Sequence, residues 1–263
     1  MDAMNWVSLI GAAAWTPQIV TWVYWFLAKP KISLYLHTEP EIGYTTFGPI
    51  FNINLTLLSE KRDITLNKFS IRIKHESGAS YTFAWAGLSE SLSEIQDPLG
   101  STSIIKKTYL PTVIRVLHTG IAQAFVRFQH EQFKAKYKEN LKVALDKFQL
   151  LKISGKLRTE KDIEDLTSEK EFAEVVKLFN SEFIWREGKY TVVFDFQSPN
   201  KFNYKKSEYI FKLSQDDIDE LKKNIDNTKL SLIQTAKRDI FKNYKSEEIT
   251  WVWKYPELQK NDK

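Results

Sequence analysis

The chain contains no cysteine. That excludes disulfide frameworks, thiolate zinc sites, iron–sulfur clusters and cysteine nucleophiles, and it fits a reducing compartment. Glycine and proline are scarce, 9 and 8 among 263 residues, which excludes collagen-like, elastic and glycine-rich low-complexity architectures. The few glycines are also too dispersed to build a loop that cradles phosphate. The signatures GxSxG, GxxxxGK[ST], GxGxxG and HExxH are all missing. With four histidines and no thiol, a metal site would have to draw on carboxylates, and no cofactor is expected. Aromatic residues, by contrast, make up 14% of the chain, 17 Phe among them. That is ample material for the core of one large domain, or of one domain carrying an insertion.

Charge is missing from the front of the chain. No Lys, Arg, Asp, Glu or His occurs between Ala3 and Ala28. As a helix, Asn5–Ala28 would be about 36 Å long, enough to cross a hydrocarbon core of about 30 Å. Trp6 and Trp15, then Trp22 and Trp25, place aromatic rings along this span, and such rings favour membrane interfaces. Lys29 and Lys31 end it. This pattern predicts a single transmembrane anchor over 1–29, with the head at 30–263. The basic flank predicts a cytoplasmic head by the positive-inside rule. A signal peptide fits less well, lacking a basic start and a small-x-small cleavage signal; a buried or interfacial helix is the other alternative. Pro17 predicts a kink. Thr16, Gln18 and Thr21 either join helices by hydrogen bonds or satisfy themselves on their own backbone.

From Lys31 the periodicity changes to two. Ile32, Leu34 and Leu36 alternate with polar residues, as do Phe51 to Leu57, Phe69 to Ile73 and Tyr81 to Trp85. Further strand-like runs are 112–117, 122–128, 190–196 and 209–213, with Arg186-Glu187-Gly188-Lys189 as a hairpin turn. So many half-buried strands predict an antiparallel two-sheet sandwich, mainly β with a helical insertion, α+β overall. The insertion, at about 130–182, carries Phe133, Tyr137, Leu141, Leu145 and Phe148 at helical spacing, then Phe172, Val175, Val176 and Phe179. Its charge is segregated. Arg127–Arg158 holds nine basic against three acidic residues, net +6, and Thr159–Glu182 three against eight, net −5. A last helix is predicted from Ser214, with Asp216 and Asp217 in its first turn. An edge strand around Trp251 and Trp253 and a frayed end from Gln259 complete the chain.

The stretch from Pro30 to Trp85, above all EIGYTTFGPIFNINLTLLSEKRDITLNKFSIRI followed by FAW, resembles a group of uncharacterised bacterial proteins with a short hydrophobic amino terminus and a β-rich, immunoglobulin-like head. REGKYTVVFDF and FKLSQDDIDEL fit the same outline. The resemblance implies an architecture and no reaction.

Candidate site residues are few. His37, Glu39 and Glu41 would share one face of a continuous strand and could converge on a divalent cation, but Pro40 interrupts them. His75 beside Glu76 reads as a solvated turn, and Asp162, Glu164 and Asp165 as a solvated helix; His118 and His130 receive no role. Lys134, Lys136, Lys138 and Lys142, with Lys147, Lys152, Lys156 and Arg158, could meet an anionic surface or nucleic acid. They could equally be a solvated face paired with the acidic segment next door. These features together predict a non-catalytic, membrane-tethered interaction protein at the inner face of a membrane, a bacterial defence effector or sensor being one specific form. Its expected partners are membrane lipid and either a protein or a second copy of itself; nucleic acid is not favoured. Two alternatives stay open: an enzyme with an unfamiliar histidine–carboxylate site, and a soluble nucleic-acid binder.

Overall fold

A computed structural model of the chain describes residues 15–24, 28–96, 102–110 and 112–261. A helix α1 at 15–24 leads into nine strands: β1 (Lys31–Leu36), β2 (Glu41–Thr45), β3 (Gly48–Glu60), β4 (Ile64–Leu66), β5 (Lys68–His75), β6 (Ser80–Gln96), β7 (Thr102–Tyr109), β8 (Ile114–Val116) and β9 (Ile121–His130). Helices α2 (Glu131–Ile153), α3 (Glu160–Glu164) and α4 (Lys170–Ser181) follow, with a 3-10 turn Asp165–Ser168 before α4. The chain then returns to the sheet through β10 (Gly188–Gln197), β11 (Asn203–Tyr204) and β12 (Glu208–Leu213). It ends with α5 (Gln215–Ile240), β13 (Trp253–Lys254) and β14 (Gln259–Lys260).

Twelve strands form one sheet, ordered β11-β1-β3-β9-β6-β5-β10-β12-β14, with β2 beside β3, β13 beside β2 and β7 beside β6. Every pairing is antiparallel except β1 with β11. The strands alternate as their sequences demand: in β5, Phe69, Ile71 and Ile73 are buried while Lys68, Arg72 and Lys74 are exposed. A single flat sheet would leave that apolar face wet. It curls instead. Phe51 on β3 and Phe211 on β12 have four strands between them, yet their ring centroids are 6.1 Å apart. Phe69 sits in the hollow, edge-on to Phe128 at 4.8 Å and stacked on Phe196 at 4.4 Å. The small β4–β8 sheet adds Ile64, Leu66 and Val116 to the same core.

The predicted two-sheet sandwich is therefore corrected to one curled sheet in a mixed α/β protein. Period-two alternation demands only that one face be covered, and a curled sheet meets that demand as well as a second sheet does. The hairpin expected at 186–189 is likewise absent. That segment carries the chain from α4 into β10, and the Tyr190 hydroxyl holds it by accepting from the Arg186 amide and donating to the Arg186 carbonyl. Gln259 and Lys260, expected to fray, pair with β12.

The transmembrane anchor is overturned as well. Among the described residues no helix is long and apolar enough to cross a membrane, and the ten described residues of α1 rise only about 15 Å. The single-pass, cytoplasmic-head topology falls with it. Trp6 and Trp25 lie outside the described residues, as does the rest of 1–14.

Local signals were obeyed where they were strong. Ser214 caps α5 in a reciprocal box with Asp217. Gly48, at φ 78°, starts β3 where a Cβ would lie 2.3 Å from the Phe133 ring. Gly78, at φ 94°, has nothing within 4 Å. Gly78→Ala should cost about 1–2 kcal/mol of backbone strain alone, whereas Gly48→Ala should cost about 1–3 kcal/mol more through overpacking. Urea unfolding of the two variants measures the difference.

Candidate functional site

The sequence-derived metal candidate does not assemble. His37 and Glu39 are exposed in the β1–β2 turn, where His37 Nδ1 accepts from the Glu39 amide at 3.3 Å. Glu41 is held apart by Asn52, whose Nδ2 donates to it at 3.1 Å. Among the described residues no group of three or more histidines and carboxylates could hold a metal ion.

The remaining histidines divide into three situations. His75 is buried and fully used, its ring nitrogens bonded to Ser77 Oγ at 2.8 Å and the Glu187 carbonyl at 2.9 Å. The solvated turn expected there is instead a packed corner. His118, which the sequence left without a role, receives a partner 55 positions away. Its Nδ1 lies 2.8 Å from Asp63 Oδ1, and its amide donates to the same oxygen at 3.0 Å. The His118 side chain, its amide and the Arg115 guanidinium hold the Asp63 carboxyl down to about 2. This pair fixes one face of an exposed imidazole, but no hydroxyl is hydrogen-bonded to the ring among the described residues.

His130 closes β9 and precedes α2. It is 2% exposed, its Nδ1 has no hydrogen-bond partner, and it packs against Tyr81 and Phe83. Burial pushes its pKa below the ordinary value, with Lys136 adding to the shift and Glu182 opposing it.

The basic helix is resolved by its neighbours into two flanks. Lys136 pairs with Glu182 and Lys147 with Glu169 at 3.2 Å, both across to the acidic segment; Lys152 reaches Asp239 on α5 at 2.7 Å. The acidic helix α3 is not simply solvated either: its Glu160 and Glu164 enclose Lys237 of α5, at 2.9 and 2.7 Å. Lys134, Lys138 and Lys142 are exposed and make no ion pair or hydrogen bond among the described residues. Sequence spacing also placed Leu145 in the buried stripe. Ala144 takes that place, and Leu145 stands 49% exposed, because the buried line Phe133, Tyr137, Leu141, Ala144, Phe148 keeps a 3.6-residue period that 145 leaves.

The predicted anchor residues Trp15, Pro17, Gln18 and Trp22 lie on α1, where all ten described residues are exposed. Thr21 Oγ1 donates to the Pro17 carbonyl at 2.7 Å, satisfied on its own helix. The helix meets the head where Lys61, in a left-handed turn at φ 75°, sets its ammonium 5.7 Å from the Tyr24 ring. Of the flanking lysines, Lys31 pairs with Glu60 at 2.9 Å. Lys29 lines a shallow recess of about 520 Å³ with Lys201 and Phe202. A second open recess, about 410 Å³, lies beside the start of α5, but its Lys254 is already matched by Asp217 at 3.1 Å and Glu220 at 2.6 Å.

No protein-family model matches the chain, and no match was found among curated proteins or solved structures. The function must be argued from these surfaces alone.

His130 sets a pH dependence whose sign is fixed. With a folded pKa below the unfolded value of about 6.5, the unfolded chain takes up the proton first. Stability is complete above about pH 6.5 and falls as pH drops toward the folded value. His130→Gln should remove that loss, so the gap in urea midpoint between wild type and variant should change between pH 7.5 and pH 5.5, in favour of the variant at the lower pH.

Proposed function

We propose that the protein is a non-catalytic binding protein that works as an assembly of its own chains, joined through α1. The observation that carries this reading is the exposure of a helix made largely of apolar residues. Trp15, Ile19, Val20, Trp22, Val23 and Tyr24 are each between 50 and 65% exposed. Trp15, Ile19, Trp22 and Val23 recur at i, i+4, i+7 and i+8, which is one face of a helix. Covering the four side chains of that face would bury roughly 500 Å² per copy, the larger part of the 800 Å² or so that each partner gives to a stable interface. A second α1 offers the same stripe, so a two-fold contact is self-complementary.

The enzyme alternative has less to rest on. His37 accepts from the Glu39 amide while Glu41 is held by Asn52, and among the described residues no nucleophile is hydrogen-bonded to the Asp63–His118 pair.

Light scattering behind size exclusion tests the proposal on the full chain. Wild type should run as a dimer or larger at about 50 µM. Trp15→Glu combined with Trp22→Glu should run as a monomer whose head stays folded by circular dichroism, since neither side chain is in the core. A monomeric wild type, or an oligomer indifferent to both substitutions, overturns the assembly.

A further inference from the structure

Helix α2 carries a second surface, at the opposite end of β9 from Ile121. Lys134, Lys138, Lys142, Leu145, Gln149 and Ile153 follow one another at steps of four, four, three, four and four residues. They form one continuous ridge about 28 Å long. Its first half is basic and unpaired, each lysine about 6 Å along the axis from the next. Its second half is aliphatic, with Leu145 49% and Ile153 83% exposed, and Leu150, one turn before Ile153, at 66%. A separate face of the same helix is committed to the core through Phe133, Ala144 and Phe148. The acidic neighbours that neutralise Lys136, Lys147 and Lys152 leave this ridge untouched.

We propose that the ridge docks an acidic amphipathic helix of a partner protein, laid along α2. Glu or Asp repeated every turn would meet the three lysines at the same 6 Å interval, and an apolar half would cover Leu145, Leu150 and Ile153. The segregation along the axis favours this partner. A helix lying on a lipid surface carries its lysines along the flanks of its apolar face for the whole length, and phosphates of a nucleic acid would leave the aliphatic half uncovered. No exposed aromatic ring stands on the ridge to stack a base.

The test uses full-length protein and a fluorescent helical peptide with Glu at i, i+4 and i+8 in one half and Leu at i, i+3 and i+7 in the other. Both orders of the halves are tried, with a control carrying Lys in place of Glu. Anisotropy should show saturable binding of one acidic peptide, weakened by 500 mM salt, and none of the control. Lys134→Glu, Lys138→Glu and Lys142→Glu together should weaken binding by roughly tenfold, the combined effect of three exposed pairs. Leu150→Asp with Ile153→Asp should do the same. The triple Lys→Gln variant gives the same comparison with a gentler change, and circular dichroism confirms the fold of each. Binding indifferent to these substitutions, or no binding by either acidic peptide, overturns the proposal. So does lysine-dependent binding only to phosphatidylserine vesicles or to a DNA duplex. The variants leave α1 intact, so assembly through α1 stands or falls separately.

Discussion

The contact between Phe51 and Phe211 across the hollow of the sheet is the constraint on which the rest depends. The long strands β5, β10 and β12 bury alternate side chains, and water must be kept from that face with only the small β4–β8 sheet besides to cover it. Curling brings β3 and β12 within ring contact, and Phe69 then fills the interior against Phe128 and Phe196. Each such ring buries about 150–250 Å², so the hydrophobic gain grows with curvature until the rings touch. The helices are secondary to this. Tyr44 on β2 donates to the Phe179 carbonyl at 2.8 Å, and burial raises its pKa well above the ordinary phenol range. That bond ties the helical layer to the rim of the sheet.

The helical layer is where charge decides shape. Its basic and acidic stretches lie next to each other in sequence and fold back as α2 against α4. Lys136 and Lys147 meet Glu182 and Glu169 across that contact. Exposed pairs of this kind contribute little to stability. Their larger consequence is selective: they use up one flank of α2 and leave the other flank's lysines without partners. The same helix therefore has a buried face, a neutralised flank and an open, half-basic, half-aliphatic ridge.

The two proposed contact surfaces stand at opposite ends of β9, whose ten residues reach about 30 Å. Helix α1 joins the head beside Lys61, near the β3 end that pairs with the start of β9. The ridge on α2 begins four residues beyond His130. The two surfaces share no residue, so assembly through one does not occupy the side chains that would dock a partner through the other. His130 sits at the junction of β9 and α2 with an unpaired ring nitrogen, so protonation of its buried ring falls on the contact between sheet and helical layer.

Local signals in the sequence determined local outcomes. Alternation marked β3, β5, β10 and β12; Ser214 with Asp217 marked the start of α5; a 3.6-residue period marked α2 and α4. Each depends on neighbours within a few residues, and so could be read from the chain. The metal candidate failed for the same local reason that had weakened it, the break at Pro40. What closes the sheet was not legible, because alternation is identical in a sandwich and in a curled sheet. Nor was the pairing of Asp63 with His118, separated by 55 positions, or the placement of Leu145 outside the helix stripe. The uncharged front of the chain predicted burial in lipid from hydropathy alone, and the ten described residues of α1 do not provide a crossing. Which lysines of α2 stay free was settled only when α4 and α5 packed beside it, since a charge's partner is fixed by distance in space and carries no mark in the order of residues.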